Sequence, residues 1–129
     1  MAKKQSGTYI PGVCNINREE IARRRMIGYI GLASTLALFG LLELLHASVT
    51  ARLSLFIPAY VCAIGFLQAA NHFCTGYGSR GMQNATEGSL APSEVTDGKA
   101  LAADRRRVAQ INMQAAVIAI VVALAAVAI

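Results

Sequence analysis

Three long stretches almost free of charge constrain this chain more than any other feature. Between Met26 and Val49 the only charged residue is Glu43, and Leu53–Ser79 and Val108–Ile129 contain none. Each stretch approaches or exceeds the ~20 apolar residues that cross ~30 Å of hydrocarbon as a helix. A water-soluble core built from 129 residues could not hide three such helices. The fold class expected is therefore all-α: an integral membrane protein with transmembrane helices at about 26–48, 53–73 and 108–129. The first 25 residues carry Lys3, Lys4, Arg18 and Arg23 to Arg25 and no apolar core. They do not read as a cleaved leader, and the first helix is expected to be an uncleaved anchor.

The basic residues set an orientation. Six Lys or Arg precede the first helix, five (Arg80, Lys99, Arg105, Arg106, Arg107) lie between the second and third, and only Arg52 lies in the short turn between the first two. Positive charge concentrates on the cytoplasmic side. The expected order is a cytoplasmic segment with a short basic helix (1–25), a membrane hairpin (26–73), a cytoplasmic Gly-rich turn with a flexible loop (74–107), and a last helix ending outside (108–129). The net charge of +5 then belongs to topology and lipid headgroups, not to nucleic acid. Three cysteines is an odd number. Cys14 and Cys74 face a reducing compartment and Cys62 lies inside a helix, so no structural disulfide is expected.

Local signals refine this outline. Pro11-Gly12 marks a turn, and Asn17 with Glu20 three residues on reads as a helix N-cap. A helix restarts near Asp97 and runs into the third span. Small residues mark helix contacts: Gly28 and Gly31 on the first helix, Gly65 on the second, and Ala116, Ala119, Ala123 and Ala126 on the third. Tyr9–Asn17 is too apolar for a free tail, so it is expected to cap the end of the second helix against Gly76–Gly81.

Four groups of residues could carry chemistry. Gly76, Gly78 and Gly81 spell G-x-G-x-x-G, but a nucleotide loop needs a strand before it. No strand is predicted, so no nucleotide is expected. The glycines read instead as positive-φ residues that end the second helix. Cys14, His72 and Cys74 all fall near one membrane face and are good ligands for zinc, copper or haem iron. They come from only two segments, and structural zinc prefers four ligands. Glu43 and His46 share a helix face and form a possible proton or ion site, because a lone membrane carboxylate is a functional hypothesis by default. The bland alternative is that Glu43 snorkels to water or pairs with Arg52 or His46. Gln68, Asn71, His72, Asn112 and Gln114 form a polar band that reads as interhelical hydrogen bonding.

The stretches "YIPGVCNINREEIARRR" and "FLQAANHFCTGYGSRGM" resemble a family of small bacterial membrane proteins of uncharacterised function. The shared pattern is Y-x-P-G-V-C-N-I, then E-I-x-R-R-R, then H-F-C-x-G. The resemblance covers Tyr9 to about Met82. It implies a bacterial plasma membrane and brings no activity or partner. No nucleophile stands beside a base, and no carboxylate pair is in reach. The expected function is thus a non-enzymatic accessory or structural subunit of a larger membrane complex, or a homo-oligomer. Its partners would be lipid, other membrane subunits or itself, without a resident cofactor. One alternative is a small oligomeric transporter or channel using Glu43. The other is a metal, haem or thiol-redox protein using Cys14, His72 and Cys74.

Overall fold

A computed structural model describes residues 8–129. Lys3 and Lys4, which enter the charge asymmetry, lie outside the described residues. Helix α1 covers Arg18–Leu44, and its start is fixed by Asn17, whose side chain accepts the Glu20 N–H at 3.0 Å. Ser48 caps a short α2 (Val49–Arg52) by accepting from Ala51 N–H. A 3-10 turn over Leu53–Leu55 leads into α3 (Phe56–Asn71). Pro58 has no N–H to offer the carbonyl four residues back, and the tighter turn falls where that bond is missing. Then come α4 (Thr75–Arg80), β1 (Met82–Gln83), β2 (Ser93–Glu94) and α5 (Gly98–Ala128). Asp97 caps α5 by accepting the Ala100 N–H.

Among the described residues three helical stretches are long and apolar enough to cross a bilayer: Arg18–Leu44, Val49–Asn71 and Gly98–Ala128. The chain is thus all-α in its membrane part. Large apolar side chains such as Tyr29, Leu36, Val117 and Val121 are exposed along these helices, as lipid-facing residues are. Two expectations need correction. A two-stranded antiparallel ribbon exists, with Met82 opposite Glu94 and Gln83 opposite Ser93. It is too short for any hydrophobic alternation to show in the sequence. The segment after α4 is also tied down and does not hang free: Asn17 Nδ2 donates to the carbonyls of Thr86 and Ser89, and Val95 N–H donates to Gly81.

Helix α3 lies between α1 and α5. The α1–α3 contact is backbone against backbone. A Cβ on Gly31 would lie 2.6 Å from Cys62 Cα and 2.9 Å from Val61 C, and one on Gly65 would lie 2.8 Å from Arg24 O and Gly28 Cα. Only glycine allows helices this close. Gly28 faces the ring of Phe66, which Tyr29 meets edge-on at 5.0 Å. On α5 the buried row is Ile111, Ala115, Ala119, Ala123 and Ala126. The expected seam thus shifts by one position at its start. Ala115 is fully buried and Ala116 only half-buried, because successive steps of four follow the contact line better there than a step of three. At the far end Leu42, Leu55 and Ala126 form a small apolar cluster.

Candidate functional site at the basic end of the helices

The turn signal in Pro11-Gly12 closes a tight loop. Ile10 and Cys14 exchange both backbone hydrogen bonds, and Gly12 takes φ +70°, a conformation that suits glycine. This loop carries Asn15 into the interior. Asn15 is 0% exposed, so each of its polar groups needs a partner. Its side chain donates to the Cys74 carbonyl at 3.1 Å and accepts the Cys74 N–H at 2.6 Å. Its backbone N–H donates to the His72 carbonyl, and its carbonyl accepts the Asn84 N–H. One asparagine thereby joins the N-terminal segment, the end of α3 and the chain after α4. Asn17, also 0% exposed, repeats the device by capping α1 and holding Thr86 and Ser89. Tyr9–Asn17 is thus an ordered cover over the end of α3.

The glycine spacing is explained without a nucleotide. Helix α3 ends at His72, which adopts the left-handed conformation at φ 52°, while Phe73 N–H bonds back to Gln68 O. The expectation that the glycines terminate this helix is therefore corrected: a histidine does so, and the glycines belong to α4. Gly78 is needed for space, since a Cβ there would lie 2.7 Å from Val108 Cγ2 and 2.8 Å from Phe73 Cε1. Gly81 is needed for conformation, at φ +71°. Gly76 has ordinary room around it.

Two charged groups complete this end. Glu20, 4% exposed, pairs with Arg23 at 3.0 Å and Arg24 at 3.1 Å. Arg24 Nη2 also donates to Cys74 Sγ at 3.0 Å, and its guanidinium stands 5.7 Å from the centre of the Tyr77 ring. Asp104 of α5 is 0% exposed. It accepts the Tyr9 hydroxyl and the Gly12 N–H, each at 2.7 Å. Burial, and then the neighbouring Asp104 carboxylate, push the Tyr9 phenol well above its ordinary value.

The residues singled out in the sequence fall as follows. Cys14 and Cys74 are both buried and in no disulfide, with different partners: Cys14 Sγ donates to Ile16 O at 3.6 Å, and Cys74 takes Arg24. His72 lies two residues before Cys74 in sequence but serves as the helix terminus. Among the described residues no three of His, Cys, Asp and Glu come together in a way that could hold a metal ion. Glu43 is bound to Arg52, which also donates to Ala47 O. His46 is exposed at positive φ in the following turn. Within the polar band, Gln68 accepts from Thr75, and Asn71 accepts from Arg107. Asn15, Arg24 and Asp104 were missed. An asparagine between Val13 and Ile16 was a readable signal, because a polar residue in an apolar run needs a partner. Asp104 before three arginines reads as a solvated helix charge and gave none.

The fold and this site define an all-α, multi-span membrane protein whose polar residues at one end bind segments of the chain to one another. The chain matches no protein-family model, no curated protein and no solved structure.

Proposed function

We propose that the protein is a small non-enzymatic subunit of a bacterial plasma membrane, either accessory to a larger membrane assembly or assembled with itself, with its basic end in the cytoplasm. One observation carries the reading. The side chains at the basic end with the best chemical potential, Asn15, Glu20, Cys74 and Asp104, are all engaged in holding the chain together. The orientation is supported by charge, since nine of the ten basic residues among those described lie at that end. Three thin helices rich in small residues leave much surface for other membrane helices. The test is purification in mild detergent, with particle mass, subunit analysis, metal analysis and an absorption spectrum. A defined multiple of the 13.6 kDa chain, or a second subunit at fixed stoichiometry, is expected. A lone monomer overturns the proposal, and stoichiometric metal or haem redirects it to Cys14, His72 and Cys74.

A further inference from the structure

A groove runs between α1 and α5 with α3 as its floor. One cavity of about 390 Å³ is lined by Leu32 and Thr35 of α1, Cys62 and Phe66 of α3, and Ile118 and Val122 of α5. The Thr35 hydroxyl is satisfied by Gly31 O at 2.7 Å, so the wall is apolar in effect. A second cavity of about 520 Å³ shares Leu67 and Ile118 and extends along Met113, Gln114 and Val117 towards the basic end. Above it lies Arg107, whose Nη2 donates to Asn71 at 2.8 Å and Nη1 to Gln110 at 3.2 Å. Among the described residues Arg107 has no carboxylate partner, and its buried Nε has no hydrogen-bond partner. A guanidinium carries five N–H donors in a fork suited to phosphate. Two amides position this one, and its charge is uncompensated.

Arg107, Gln114 and Ile118 share one helix face by their spacing. At 1.5 Å per residue Arg107 stands ~16 Å above Ile118, about half of the ~30 Å hydrocarbon core. The groove runs on to Val122, ~22 Å from Arg107, so it is at least as long as one leaflet, with a cation at its headgroup end. Its width selects the occupant. The first cavity follows α3 from Ala59 to Ala70, ~16 Å. Its whole empty volume of about 770 Å³ spread over that length gives a mean cross-section of roughly 50 Å², still below that of a helix about 10–12 Å across. We propose that this groove binds one anionic phospholipid, with the phosphate on Arg107 and an acyl chain along Leu67, Ile118 and Val122.

The experiment adds phosphatidylglycerol or phosphatidylcholine with identical acyl chains to the whole protein in mild detergent. Native mass spectrometry then measures lipid retained per chain. One phosphatidylglycerol should be retained about fivefold to tenfold better than phosphatidylcholine, the scale of one basic contact near an anionic headgroup. Arg107→Gln should abolish that preference, whereas Arg106→Gln, at an exposed neighbour, should keep it. Val122→Phe should weaken both lipids by filling the groove. Equal retention of the two lipids by the unaltered chain overturns the proposal, and that comparison needs no variant to fold. Retention unchanged in Arg107→Gln also overturns it. So does efficient Cys62–Cys62 crosslinking between copies in phosphatidylglycerol vesicles, which would make a second chain the occupant.

Discussion

Gly31 and Gly40 lie on the same helix, and alanine should have opposite effects at the two positions. At Gly31 a methyl group would meet the backbone of Cys62 and Val61, at 2.6 Å from Cys62 Cα and 2.9 Å from Val61 C. Ordinary carbon contacts lie at ~3.5–4.0 Å, so α1 and α3 must part by roughly 1 Å, and such a gap forfeits a quarter to a half of each dispersion contact along the seam. Backbone cannot rotate away as a side chain can. Overpacking of this kind costs ~1–3 kcal/mol. At Gly40 a Cβ meets nothing within 4 Å, and replacing a mid-helix glycine by alanine gains ~0.5–1 kcal/mol. The two variants should therefore differ by ~1.5–4 kcal/mol. Reversible unfolding by SDS in mixed micelles, followed by circular dichroism, should place the Gly31→Ala midpoint below that of the unaltered chain and Gly40→Ala at or above it. Equal midpoints, or a more stable Gly31→Ala, would refute the close backbone contact.

Alkaline pH should release the N-terminal cover. The Tyr9 phenol is raised above its ordinary 10.0, so its contribution is fully present below about pH 10 and is lost as pH climbs through the folded value. Hydrogen exchange at Gly12 and Asn15, corrected for the intrinsic base-catalysed rate, should lose protection over that range, and Tyr9→Phe should remove that pH-dependent loss; protection that falls identically in Tyr9→Phe would show that the Tyr9–Asp104 bond does not hold the cover. On α5, Ala119→Leu or Ala123→Leu should shift the unfolding midpoint down by ~1–3 kcal/mol, while Val117→Leu and Val121→Leu, at positions 54% and 60% exposed, should leave it nearly unchanged.

The sequence was most legible where one physical rule acted alone. Charge exclusion from hydrocarbon marked three spans, and a side-chain acceptor at Asn17 marked the start of α1. Gly31 and Gly65 could be singled out because no side chain fits between touching backbones. Legibility failed where tertiary contact chose between nearly equal local options. Ala115 and Ala116 are chemically identical, and only the line of α3 decides which is buried. His72 ends α3 in a conformation that usually favours glycine, although Gly76 is four residues away. The hydrogen bonds from Asn15 to Phe73's two neighbours hold the chain there; an asparagine in an apolar run announces that it needs a partner, but nothing local says that the partner is the end of α3. Asp104 meets Tyr9 and Gly12 across more than ninety positions, beyond any periodicity.

The cover at the basic end and the groove between the helices are mechanically connected. At the far end α1 and α5 are drawn together, since Leu42 and Ala126 share a cluster with Leu55, and Arg52 bridges Glu43 to the Ala126 carbonyl. At the basic end other elements intervene. Helix α4 is wedged against α5 with Gly78 under Val108, and the N-terminal loop bridges Asp104 of α5 to the end of α3 through Gly12 and Asn15. The two outer helices are therefore fixed by different partners at their two ends and not by contact with each other along the way. A hydrophobic drive to close the gap is weak in hydrocarbon, where an apolar groove is as well solvated by a lipid tail as by another helix. Polar bonds outside the bilayer thus set the width of an apolar opening inside it. This is why buried Asn15, Asn17 and Asp104 have structural weight in a chain whose membrane part contains so few polar groups.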